Sequence, residues 1–567
     1  MIRRHIFFLL LIVVTGCTQS LNRQVTIDVT GSPQKAPTAS LNAESYYEYL
    51  VAQQYLAQKK YDLAIEAYSR ALRNNPKSPL LLTELANLYL RQGQPETALK
   101  LAEKSIEINP NYIPGHMLLG QLYAGMGQVP GAIESFRRVI DMNPSDEDAY
   151  LLLGALYAQE KRFDDAMEVF DQLKKIVPDS PLSLYYKAQI FLQLKYYGQA
   201  ELLYRELLAG EPGFENGLLD LAYIFEATDR PREAEKTYLK ILNANPEQVQ
   251  ARTRLGNLYW RENRYAEAIQ TFDHLLKGNR KDTESSLKIG IIHLQQKKYE
   301  DAIRDFTNLL KEEPQYDQAL YHLGSAYEEK QDFEQAIRTY RLIAPKSPLW
   351  IAAQSRLALV LAKQNDHKSA IKVLEDAIAK QPDSTDLYLY LAVIYEETKR
   401  YDEALKTLDR GLDKLPLDND LLFRKGIILD KTGKRDEAVE TMRKILASDP
   451  KNANALNYIG YTYAEMGTNL PRAKEMIIRA LESSPDDGYI MDSLGWVYFK
   501  MGQHKKALET IIEAIKRVPE DPVIHEHLGD IYLEMGKKAQ AAEAYRKAIE
   551  FNHTEPGKIR EKLEQAK

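Results

Sequence analysis

Residues 113–146 read IPGHMLLGQLYAGMGQVPGAIESFRRVIDMNPSD, and residues 147–180 read EDAYLLLGALYAQEKRFDDAMEVFDQLKKIVPDS. Laid over one another at an offset of 34, they match Gly120 to Gly154, Tyr123 to Tyr157, Ala132 to Ala166 and Pro144 to Pro178. The offset continues outward in both directions. Prolines stand at 76, 110, 144, 178, 212 and 246, Arg280 takes the next slot, and the series resumes at 314, 348, 382, 416 and 450. One extra residue moves it to 485, 519 follows, and His553 fills the last slot. A fixed period of this length is the mark of a repeat architecture.

With the proline numbered position 32, the internal positions fall into register. Position 20 is alanine in all fifteen units, from Ala64 to Ala541, and position 8 is only glycine or alanine. Position 11 is aromatic in twelve units, the exceptions being His293, Leu361 and Leu429. Two short antiparallel helices explain this: small residues at 8 and 20 let the backbones approach, and the ring at 11 fills the gap beside them. Apolar residues at 24 and 27, such as Phe170 and Leu173, are expected to pack the second helix onto the next unit. Proline at 32 ends that helix.

This pattern resembles the tetratricopeptide repeat (TPR), over residues 44–555. The resemblance implies an all-α, right-handed superhelix of about fifteen helix-turn-helix units, nearly two turns at about seven or eight repeats per turn. Residues 556–567, charged and weakly amphipathic, read as a capping helix. Three irregularities stand out: Gly278-Asn279-Arg280 replaces a proline turn, Pro345 at position 29 should shorten a helix, and Gly467 to Pro471 holds the extra residue. They are read as loop drift, or as a local change of pitch near a docking site.

The chain opens differently. Arg3, Arg4 and His5 precede nine apolar residues, Ile6 to Val14, too few to span a bilayer and the size of a signal-peptide core. Val14-Thr15-Gly16-Cys17 resembles a bacterial lipobox, which implies a signal peptide over 1–16 and a lipidated Cys17. Thr18, where Asp would favour inner-membrane retention, resembles the outer-membrane sorting pattern. Residues 17–43 then form the lipidated cysteine and a Ser-, Thr- and Pro-containing tether, with a reach of about 90 Å fully extended. The implied location is the outer membrane, lipid-anchored and facing the periplasm.

Composition narrows the function. Among 567 residues there are 75 Lys+Arg, 81 Asp+Glu and a single Cys, for a formal charge of −6. Basic residues are spread along the sequence, so no nucleic-acid footprint is expected, and one Cys excludes a disulfide framework or a multi-cysteine metal site. No nucleophile elbow, phosphate loop or dinucleotide motif occurs. His525-Glu526-His527 has the wrong spacing for a helical metal pair and reads as surface histidines. No enzyme, metal or cofactor is expected.

Binding is then the expected role. In the family, the first helix lines a concave groove through positions 2, 5, 9, 12 and 13. The lysine at position 5 of the family's carboxylate clamp is absent from every unit, although Asn87 and Asn257 occupy position 9. Glu328, Glu329, Glu396, Glu397 and Asp430 read as an acidic wall, and Tyr461, Tyr489, Trp496 and Phe499 as exposed aromatic anchors for a protein partner. Two functions stay open. One is an adaptor resembling the lipoproteins that bring cell-wall hydrolases to a periplasmic carboxyl-terminal processing protease. The other is an assembly factor for a pilus, secretion channel or polysaccharide exporter.

Overall fold

The structure, a computed structural model, describes residues 42–178, 180–279 and 282–566. The expected signal peptide, Cys17 and the expected tether as far as residue 41 lie outside the described residues. Every element described is helical, and the helices form fifteen hairpins and a final single helix. They divide into two compact bodies that part between Thr271 and Phe272, inside the second helix of unit seven.

In the N-terminal body, unit four shows the build of a hairpin. Its first helix, Glu147–Gln159, is capped by Asp146, whose carboxylate accepts from Ala149 N. The helix ends in a turn in which Lys161 adopts φ 59° and Arg162 N donates to Tyr157 O at 2.8 Å. That bond and Lys161 N to Ala158 O satisfy the carbonyls a helix end leaves open. The second helix, Phe163–Ile176, returns antiparallel, with Asp164 and Asp165 in its first turn against the positive end of the helix dipole. Position 15, occupied here by Lys161, has positive φ in every unit of the chain.

Packing bears out the small-residue reading. The position-20 alanine is fully buried in all fifteen units. At position 8, a Cβ added to Gly154 would lie 2.3 Å from the Phe170 ring, so the glycine makes room for that ring. Phe170 therefore packs back into its own hairpin as well as forward, where it stacks on Tyr186 of the next unit at 5.6 Å. Position 27 packs forward, as with Leu207 beneath Gly217.

The C-terminal body repeats this plan with two of the expected irregularities. Phe333–Tyr340 is only eight residues long, ending where Pro345 would clash with the carbonyl of Arg341. The extra residue of unit thirteen lies between Ala453–Glu465 and Leu470–Ser483, where Asn469 turns the chain at φ 49°. The last helix, Pro556–Gln565, buries Ile559 against Ala541, Tyr545 and Ala548 of unit fifteen. It caps the stack as expected.

Candidate protein-binding surface

The aromatic set of units thirteen to fifteen is largely interior. Trp496, on the first helix of unit fourteen (Gly488–Lys500), is 6% exposed. Its ring stacks on His527 at 4.0 Å and 16° and on Phe499 at 4.9 Å, and its Nε1 donates to Glu465 Oε1 at 2.5 Å. Tyr461 is half-buried 6.4 Å from the same imidazole, and burial pushes its phenol well above the ordinary range. The structure thus brings Tyr461, Trp496 and Phe499 together, but as the packing between successive units. Tyr489 differs: it is 56% exposed.

The two histidines read as surface groups are buried, which corrects that expectation. His525 is 3% and His527 4% exposed on Pro522–Glu534, the first helix of unit fifteen. His527 Nδ1 lies 2.9 Å from Asp492 Oδ1 and 3.1 Å from Oδ2. Burial opposes the imidazolium, yet Asp492, with help from Asp530 and Glu526, raises its pKa above the ordinary value. Glu526 is buried within reach of Lys562 Nζ at 2.7 Å, Lys558 Nζ at 3.3 Å and His553 Nε2 at 2.9 Å. Burial works against its charge, but Lys562 and Lys558 hold its carboxyl below the usual value. Reading the helix alone missed this because Trp496 and Asp492 of unit fourteen on one side, and the last helix on the other, enclose this stretch. A signal was present: position 5 is acidic only in the last two units, at Asp492 and Glu526.

The acidic wall is also revised. Glu328 is 4% exposed and lies between Arg356 Nη2 at 3.0 Å and Lys363 Nζ at 2.9 Å. Glu396 repeats the arrangement with Arg424 and Lys431, both at 2.5 Å, and Asp430 pairs with Arg435 at 3.1 Å. Glu328 and Glu396, both at position 12, meet cations at positions 6 and 13 of the following unit and so bind neighbouring hairpins together, whereas the Asp430 pair lies within one hairpin. Glu329 and Glu397 remain exposed.

Beside them, an apolar row stays partly open on the first-helix face. Leu359, Leu389, Val393, Phe423 and Ile427, at positions 5 and 9 of units ten to twelve, are half-exposed in a row leading to Tyr461. Among the described residues, no group of three or more His, Cys, Asp or Glu side chains could hold a metal ion. No described helix is long and apolar enough to cross a membrane.

Family models of the tetratricopeptide repeat match residues 55–122, 117–181, 219–283, 287–349, 361–422, 420–452 and 493–556, well over half of the chain. The chain is a tetratricopeptide-repeat protein. A TPR repeat-containing protein of Pseudomonas aeruginosa is 43% identical over 61 residues, which are 11% of this chain and 10% of that relative. The match thus spans about a tenth of the relative's length. Among solved structures, a TPR protein from Parabacteroides merdae aligns with 44% of this chain and 97% of its own, at 19% identity and TM-score 0.36. The Naa15/Naa10 complex bound to HypK-THB aligns with 92% of this chain and 96% of its own, at 14% identity and TM-score 0.39. TPR arrays generally serve as non-enzymatic scaffolds for protein–protein contacts.

Proposed function

We propose that this TPR chain is a lipid-anchored scaffold of the bacterial envelope that gathers protein partners on its first-helix face, bringing a processing protease to cell-wall hydrolase substrates. The observation that carries the binding site is the half-exposed strip Leu359, Leu389, Val393, Phe423 and Ile427, bordered at Glu328 and Glu396 by charges already paired with cations. Such a strip gains from desolvation on binding, whereas the paired Glu328 and Glu396 add little repulsion or steering. The lipobox ending at Cys17 supports the anchor, and Thr18 supports the outer membrane.

Two measurements test this. Cys17→Ser is expected to abolish labelling by a radioactive fatty acid and to release the chain from membranes; retained lipid would defeat the anchor. Affinity capture from envelope extract should recover a protease together with a hydrolase, and Val393→Lys with Ile427→Lys should lose both. Recovery of a secretin or polymer exporter instead would favour an assembly factor.

A further inference from the structure

A second surface lies away from the apolar strip, at the turns between paired helices in units fourteen and fifteen. Gly502, Gln503, His504, Lys505, Lys506, Glu534 and Met535 line a shallow cleft of about 490 Å³ there. Among the described residues, the exposed Lys500, Lys505, Lys506 and Lys538 have no carboxylate partner. Lys500 rides over the Trp496 ring at 4.9 Å and Lys506 over Tyr498 at 5.7 Å, while half-exposed Lys537 sits 5.6 Å from Tyr532. His504 lines the cleft against the edge of Phe499, and its Nδ1 has no hydrogen-bond partner.

What sets this edge apart is that its second helices carry no carboxylate in their first turn. The cations of units ten to twelve discussed above, Arg356, Lys363, Arg424, Lys431 and Arg435, are each spent on a carboxylate. In nine of the first twelve hairpins, an Asp or Glu stands in the first turn of the second helix. Leu470–Ser483, His504–Arg517 and Lys538–Glu550 have none. Lysines gathered on one edge repel each other, and among the residues lining the cleft Glu534 is the single carboxylate set against them.

We propose that this edge docks an acidic segment of a partner protein, whose carboxylates pair with Lys505, Lys506, Lys537 and Lys538 while the chain lies in the cleft. The complementarity is of charge, and the cleft selects the class of partner. A concave site with Glu534 and Met535 on its wall admits an extended peptide with alternating acidic and neutral side chains. A bilayer is flat and cannot enter it, and a uniform polyanion would meet Glu534.

The test uses the purified full-length protein and a short fluorescein-labelled peptide of alternating Glu and Gly, with Gln in place of Glu as the control. Anisotropy should show binding of the Glu peptide alone, weakening as salt rises from about 50 mM to about 0.3 M. Lys505→Glu, Lys506→Glu and Lys538→Glu combined should weaken it by about tenfold or more. Because these side chains are exposed, the triple variant should keep its circular dichroism and melt no lower than the parent. The Val393→Lys, Ile427→Lys variant should bind the peptide normally, which separates this edge from the apolar strip. Equal binding of both peptides, or an unaffected triple variant, overturns the proposal. So does lysine-dependent adsorption to phosphatidylglycerol vesicles without peptide binding, which would assign the edge to a membrane.

Discussion

His527 sits with its ring against Trp496 and its Nδ1 against Asp492, and its charge helps hold unit fifteen onto unit fourteen. A raised pKa in the folded chain means that this contribution is complete below the unfolded value of about 6.5 and fades as pH climbs through the raised value. Urea midpoints for the C-terminal units should therefore fall on the alkaline side of 6.5, and His527→Gln should remove that slope. The variant should also lose about 3–5 kcal/mol, because Asp492 is left buried without its partner. Trp496→Ala, which empties the centre of the same cluster, should cost about 3–5 kcal/mol by its melting temperature. Tyr489→Ala, at 56% exposure, should change stability by no more than about 0.5 kcal/mol. An equal effect of the two would contradict the packing role assigned to Trp496.

At the scale of the element, the turn between paired helices is the most uniform feature of the fold. Its position 15 is left-handed in every unit, yet nine units place a non-glycine residue there, among them Lys161, Lys297 and Asn365. A side chain in this region costs about 1–2 kcal/mol, while glycine returns part of the difference through a more flexible unfolded chain. Lys161→Gly is expected to stabilise the N-terminal body by about 0.5–1 kcal/mol, seen as a higher urea midpoint. Gly502→Val, at φ 73°, should destabilise the C-terminal body by more than about 1 kcal/mol. The ladder of position-12 glutamates works between elements. Removing Glu328 strands Arg356 half-buried, so its effect should fall on the contact between units nine and ten rather than on partner binding.

For the whole molecule, stability is close to a sum of hairpins and the contacts between neighbours, and a fault in mid-array divides it. Ala268 is fully buried near the boundary of the two compact bodies. Ala268→Leu should overpack the hairpin by about 1–3 kcal/mol and turn a single unfolding transition into two. Unchanged calorimetric melting would refute the close approach of the paired helices at position 20. The cap helix is expected to matter at the other end: it covers Ala541, Tyr545 and Ala548, and Lys562 reaches Glu526 and Asp530.

Period, hairpin architecture and cap were legible in the sequence, because each unit repeats the same local demands: a small residue at 8, alanine at 20, proline at 32. These are contacts within a hairpin or to its neighbour, so their spacing survives in one dimension. The candidate surface was legible only in part. Composition shows that Glu328, Trp496 and His527 are acidic, aromatic and basic, but whether each faces solvent depends on how closely the next unit stacks on positions 4 to 6, 9 and 12. Stacking turned Glu328 and Glu396 of the acidic wall into cross-unit ion pairs and Trp496 of the aromatic set into core. It also brought the turns bearing Lys505, Lys506 and Lys538 to one edge, although the basic residues are evenly spread along the chain. A repeat sequence states what each hairpin must bury within itself. Which charges remain free is decided by its neighbours, because a carboxylate within 3 Å of a lysine on the next helix is neutralised wherever the two lie in the chain.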